Sequence, residues 1–343
     1  MIAELSNFYI LAIMTAATLV ILVCGLRMTT LADQIADRTG LGEALIGGVL
    51  LGAATSLSGT IVSLTSALDG RASLAFANSI GGIAAQTVFL AVGDLVYRRA
   101  NLEHASAEIT NLFQGGMLIL LLAIPFLAST TPEMAIFGMH PLSLAIPVLY
   151  VFGLIATRWV KENPMWEPVD TELTRFDMPD DESTPEKSSA RLLLAFAIMA
   201  VFLALAGWAI ARCGAVLSDR IGLSETLVGA LMTAVITSLP ELVTTLSAVR
   251  RGALQLAVGG IIGGNTFDTL FLTISDAGYR DGSIYHAIGN SDLFWNAVAL
   301  VMTAILMLGL LLRQKQGTAR IGFESVALFG VFGAAVALQS YMG

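Results

Sequence analysis

Residues 55–59 read Thr-Ser-Leu-Ser-Gly, and residues 237–241 read Thr-Ser-Leu-Pro-Glu. Further on, Ile80-Gly81-Gly82 and Thr87-Val88-Phe89-Leu90 return as Ile262-Gly263-Gly264 and Thr269-Leu270-Phe271-Leu272. All belong to one ungapped alignment of 40–90 with 222–272 at a constant offset of 182 residues, which also pairs Gly40 with Gly222, Glu43 with Glu225, Gly47 with Gly229 and Gly70 with Gly252. A duplicated unit inside a very apolar chain is the mark of a transporter whose site lies between its repeats.

The rest of the composition agrees. The chain is 56% hydrophobic and 13% charged, with a mean hydropathy of +0.78, whereas about a quarter of a soluble domain carries charge. A membrane span needs roughly 20 apolar residues. By that measure the spans are 8–25, 44–68, 73–96, 112–128, 141–156, 192–211, 226–249, 254–274, 293–312 and 321–338. The expected fold is all-α and integral to the membrane, with ten transmembrane helices in two halves, 1–157 and 191–343. An odd number of spans per half makes the repeats inverted. With the N-terminus outside, all but Arg71, Arg212, Arg220 and Arg280 of the 18 basic residues fall in loops on one side. The positive-inside rule then places both termini on the non-cytoplasmic face of a cell membrane.

Between the halves, residues 158–190 carry Pro164, Pro168, Pro179, Pro185 and the acidic run Asp180-Asp181-Glu182. Such a segment cannot bury enough apolar surface to fold alone and reads as an acidic cytoplasmic linker. It has no EF-hand spacing. Cys24 and Cys213 lack a CxxC partner and read as small packing residues. Nothing in the sequence suggests a nucleic-acid partner, and its spans hold no Ser/His or paired-Asp arrangement of an intramembrane hydrolase. The oligomeric state is not legible.

Ionisable residues inside spans are costly and mark function. Glu241 and Asp268 stand near the middle of the seventh and eighth spans, roughly 16 and 24 Å from the turn between them at 1.5 Å per residue. Two carboxylates at that depth call for a cation. Pro240 removes an amide hydrogen and frees the carbonyl of Ile236, and freed carbonyls at membrane depth must line a cavity or meet an ion. Thr237, one turn before Glu241, and Ser238 add hydroxyls. Oxygen donors of this kind suit sodium or calcium rather than a transition metal. Asn265, after the small-residue run Gly259, Gly260, Gly263 and Gly264, either bonds across helices or orients a site carboxylate.

Thr237-Ser238-Leu239-Pro240-Glu241 followed by Gly263-Gly264-Asn265-Thr266-Phe267-Asp268 closely resembles the alpha-repeat of the calcium/cation antiporter superfamily, which includes sodium/calcium exchangers. The resemblance implies two repeats meeting at mid-membrane, and first and sixth spans that slide to give alternating access. It implies a cation site of Glu241, Asp268, Thr237, Ser238, Thr55, Ser56, Gln86 and Asn265. It implies no cofactor, with Ca2+ exchanged for Na+ or H+ across the bilayer. The first repeat departs from the pattern: Gly59 stands opposite Glu241, Gln86 opposite Asp268, and Gly82 and Gly264 replace a usual serine. Losing a carboxylate at Gly59 weakens a divalent site unless water fills the gap, and makes Na+/H+ exchange, or cation sensing without transport, the alternatives.

Glu43 and Glu225 read as helix-start carboxylates, Asp94 and Asp276 as interfacial residues at span ends, and His104, His140 and His286 as loop or span-end residues without metal-ligand spacing.

Overall fold

The computed structural model describes residues 4–39, 48–174, 189–317 and 321–342. Glu43, the start of the second expected span and residues 175–188 of the linker lie outside them. The first half runs α1 Asn7–Thr39, α2 Gly48–Thr55, α3 Leu57–Leu68, α4 Ala72–Tyr97, α5 Leu102–Ala105, α6 Ile109–Thr130 and α7 Pro141–Glu162. The second begins with α8 Ser189–Ile221 and α9 Glu225–Leu227, which passes through a π-helical segment, Val228–Thr233, into α10 Ala234–Thr237. It continues as α11 Leu239–Arg251, α12 Leu254–Asp268, α13 Leu270–Gly278, α14 Ile284–Ala287, α15 Asn290–Leu312 and α16 Phe323–Met342. A shift of 182 residues carries α1 onto α8 and α5 onto α14 end to end.

Among the described residues, eight helices are long and apolar enough to cross a membrane, and a ninth crossing results if the pair Glu225–Thr237 and Leu239–Arg251, bent by 48°, is one broken span. Its counterpart in the first half is present as the short helices α2 and α3, of which Leu57–Leu68 is apolar on average but too short to cross alone. The outward faces of the long helices show Leu11, Leu19, Val23, Val148, Phe152, Leu194 and Leu205, whereas Asn78, Gln86, Asn265 and Asp268 are buried inside. This is the arrangement that lipid demands. Cys24 and Cys213 are buried free thiols within the apolar cluster of α1 and α8.

The two breaks are one break made twice. Helix α10 stops at Thr237 and α11 starts at Leu239, while α2 stops at Thr55 and α3 starts at Leu57, so Ser238 and Ser56 occupy equivalent gaps. Pro240 lies in the first turn of α11, where an N–H has no partner in its own helix, and the Ile236 carbonyl expected to be freed accepts from the Ser238 amide instead. After each broken segment, Gly70 and Gly252 turn the chain with φ of +73° and +84°, a region that favours glycine.

Each long helix crosses the break of the other half through a glycine. A Cβ on Gly25 of α1 would lie 2.6 Å from the Pro240 ring, and one on Gly207 of α8 would lie 2.6 Å from the Ser58 carbonyl. These contacts are the same contact under the 182-residue shift. Helix α4 comes closest to the π-helical segment at Gly81, whose Cβ would overlap the Ala230 backbone. Gly81→Ala should therefore destabilise the protein by about 1–3 kcal/mol through overpacking. Gly260→Ala, which meets nothing within 4 Å, should be neutral or stabilising, since alanine favours helix over glycine by about 1 kcal/mol. Thermal unfolding of the two variants in detergent checks both.

Asp94 and Asp276, read as interfacial residues at span ends, are fully buried within the protein. Asp94 accepts from the amides of Leu102 (2.8 Å) and Gly322 (2.9 Å), and Asp276 from those of Ile284 (2.9 Å) and His140 (2.6 Å). Leu102 and Ile284 are equivalent by the offset, as are His140 and Gly322. Each aspartate thus staples its span to the short helix that follows it and to the start of the last span in a half. His140 caps α7 through its ring, and His104 bonds the Arg313 carbonyl and Thr171, so these histidines hold backbone ends. Glu225 follows the capping residue Ser224 and forms an ion pair with Arg71 at 2.8 Å.

Candidate cation site

Four interruptions or close approaches of the backbone converge in the interior. They are the gaps at Ser56 and Ser238, the junction of α12 and α13 after Asp268, and the stretch of α4 from Asn78 to Gln86. Asp268 stands at the last position of α12, fully buried, and three side chains of the first half hold it. Ser56 Oγ donates to its Oδ1 at 2.6 Å, Gln86 Nε2 to its Oδ2 at 2.7 Å, and Ser79 Oγ to its backbone carbonyl at 2.8 Å. The Gln86 amide also reaches Ser238 Oγ at 3.2 Å. Gln86 and Asp268 are equivalent by the offset, so the repeat places its own two copies in direct contact.

Beside them lies a cavity of about 10 Å³ lined by Ser56, Gly59, Asn78, Gln86, Glu241 and Asp268 among others, room for roughly one water-sized occupant. Glu241, in the first turn of α11, is 7% exposed. The Thr55 hydroxyl is a hydrogen-bond partner of its carboxylate, but Glu241 Oε2 has none, nor does Gln86 Oε1. Buried acceptors without donors are rare. A set of them beside two carboxylates is what a desolvated cation requires.

Six of the eight residues expected at the site line this cavity: Glu241, Asp268, Thr237, Ser238, Ser56 and Gln86. Thr55 stands behind Glu241. Asn265 turns its amide nitrogen to Thr87 Oγ1 at 3.0 Å and leaves Oδ1 unpartnered, which is the cross-helix bond of the two roles open to it. Thr237 donates its hydroxyl proton back to the Thr233 carbonyl at 3.0 Å, so only its oxygen lone pairs can face the cavity.

Three further residues line the cavity, of which Asn78 and Phe271 escaped the sequence reading. Asn78 ties Gly59 O (3.1 Å) and Ser63 (2.9 Å) to Thr233, which donates to Asn78 Oδ1 at 2.7 Å; a carboxamide in an apolar span was the available signal. Gly82 is the second: a Cβ there would stand 3.6 Å from Ser238 Oγ and 3.7 Å from Asp268 Oδ2. Phe271 is the third, and its role has no sequence signal. A Cβ on Gly59 would lie 2.8 Å from Phe271 Cε2, so an aromatic ring takes up the space where the missing side chain would begin.

The model of the sodium/calcium exchanger protein family matches residues 9–158 and 191–341, both halves of the chain without the linker. The chain belongs to that family. This exchanger is a transmembrane cation antiporter. It is 29% identical over 244 residues to CaxA of Alkalimonas amylolytica, covering 70% of its own length and 71% of that relative. It is 26% identical over 265 residues to the inner membrane protein YrbG of Escherichia coli strain K12, covering 76% and 77%. In fold it is similar to the H+/Ca2+ exchanger CAX, with a TM-score of 0.70 at 12% identity, 97% of this exchanger covering 86% of that chain.

Proposed function

We propose that this exchanger moves Ca2+ or another oxygen-preferring cation against Na+ or H+ by alternating access, binding it between two inverted five-span repeats. The observation that carries the reading is the meeting of Glu241 and Asp268 around one cavity, with Glu241 Oε2 unpartnered. Glu241 is the principal ligand and Asp268 the second carboxyl. Ser56, Thr237, Ser238 and the Gln86 carbonyl supply neutral oxygens, while Thr55 and Asn265 position their neighbours. The long helices α1 and α8, which cross the breaks at Gly25 and Gly207, are the parts that slide. Both termini lie outside and the linker in the cytoplasm.

Two carboxylates are few for a divalent ion, and Asp268 already satisfies two donors. That observation favours a second reading, exchange of Na+ for H+. Proteoliposomes distinguish the two. The first reading expects 45Ca2+ uptake driven by an outward Na+ or H+ gradient. The second expects Na+-driven proton movement without Ca2+, and absence of all three fluxes would sink both.

A further inference from the structure

The repeat builds one corner twice and fills it differently. In one corner Asp276 accepts from Ser143 Oγ at 2.6 Å, and that hydroxyl lies 3.0 Å from the Tyr285 hydroxyl. Asp276, Ser143 and Tyr285 are all buried and all hydrogen-bonded. The 182-residue shift turns Asp276 into Asp94, Ser143 into Ser325, Tyr285 into Glu103 and the neighbouring Leu142 into Glu324. The neutral pair of one corner becomes two glutamates in the other.

Asp94, Glu103 and Glu324 are each no more than 1% exposed. They present one carboxylate oxygen apiece within 4.8 Å of one another. Apart from a proton that Glu103 and Glu324 can share between themselves, neither oxygen of Glu103, neither of Glu324 and not the Ser325 hydroxyl has a hydrogen-bond partner. Among the described residues no Lys or Arg forms an ion pair with any of the three carboxylates. Space is reserved for Glu324: a Cβ on Gly309 would lie 2.7 Å from its Cγ, and a Cβ on Gly322 would overlap its Oε1.

Burying unpaired carboxylates costs several kcal/mol each, so charge here must be compensated. Burial first, and then the Glu324 and Asp94 carboxylates beside it, push the Glu103 carboxyl well above the usual carboxylate range. The compensation is either protons or a cation. Ligands at 2.3–2.6 Å from a calcium ion stand at most about 5 Å apart, and the three oxygens meet that limit. Three hard carboxylates with no nitrogen or sulfur donor select an oxygen-preferring divalent ion.

We propose that Asp94, Glu103 and Glu324 form a second site, for a resident divalent cation of the Ca2+ or Mg2+ class, separate from the mid-membrane cavity. Asp94 lies eight residues beyond Gln86 on α4, about 12 Å along the helix. The site joins the ends of α4, α5 and α16. The linker docks on the same corner, because His104, next to Glu103, bonds Thr171 at 2.9 Å and Arg313 donates to Val169 O at 2.7 Å. The ion therefore holds the corner on which the start of the linker rests, and it is not cargo.

Equilibrium binding of 45Ca2+ to the purified Glu241→Gln protein tests this without reference to transport. One Ca2+ per chain is expected, displaced by excess Mg2+ if the site takes either ion. Glu103→Gln with Glu324→Gln should abolish that binding and the rise in Tm caused by Ca2+, while the Tm in chelator stays the same or increases. Should the double variant not fold, Glu103→Gln alone should weaken binding at least tenfold. Monodisperse Glu241→Gln protein that binds no Ca2+ overturns the proposal, as does binding that Glu103→Gln leaves unchanged.

Discussion

Glu241→Gln will abolish cation exchange in proteoliposomes while leaving the protein folded. Glutamine has nearly the shape of glutamate, and its amide can still bond Thr55, so the helix start at Leu239 and the packing of Pro240 on Gly25 have no reason to change. What disappears is the charge on the one carboxylate that keeps a free oxygen toward the cavity. A ligand charge in a buried site contributes about 3 kcal/mol or more, because a desolvated cation that loses it has no bulk water to turn to. Flux should fall about 100-fold or more at equal cation concentration. Fluxes of Ca2+, Na+ and H+ that all match the wild type, from protein with wild-type Tm, would show that Glu241 is not a ligand.

Gly59→Glu alone will not strengthen divalent binding, even though it restores the carboxylate that the second half has at the same place. The new side chain would meet Phe271 Cε2 at its first carbon, and Phe271 is 3% exposed and packed edge-on against Phe267. Overpacking of this kind costs about 1–3 kcal/mol, comparable to what a third ligand adds. Combined with Phe271→Ala, which vacates the ring's volume, Gly59→Glu should lower the Ca2+ concentration for half-maximal uptake about tenfold, or roughly 1.4 kcal/mol. Phe271→Ala alone supplies no ligand and should not do so. A gain from Gly59→Glu by itself would show that the ring yields easily.

The outline of both predictions was legible before any coordinates. The offset of 182 residues named the helices that correspond, and Pro240 beside Glu241 marked a broken helix with a carboxylate at its start. The matching break at Ser56 was harder to read, since Ser58 stands where Pro240 does and nothing local interrupts the helix. There the break goes with the crossing of α8, whose Gly207 lies against the Ser58 carbonyl, and such a contact has no local signature. The partners of Asp94 and Asp276 were illegible for a related reason: they are amides of other segments, brought in by the fold. The occupation of the Gly59 gap by Phe271 depends on which way one ring turns, and spacing carries no information on that.

The crossed glycines have a further consequence. Gly25 on Pro240 and Gly207 on Ser58 are contacts of the kind a two-fold symmetric pair of identical chains would make, each arm gripping the other's hinge. In such a pair every substitution occurs twice, so a change to glycine at one hinge would strip both glutamates from the centre, and two acidic residues added at one corner would burden both corners. Covalent fusion removes that coupling. Once the halves are one chain, one hinge can give up its charge to an aromatic ring while the other keeps its glutamate, and one corner can gather carboxylates while its twin remains neutral. The two ends of the molecule are then free to do different work.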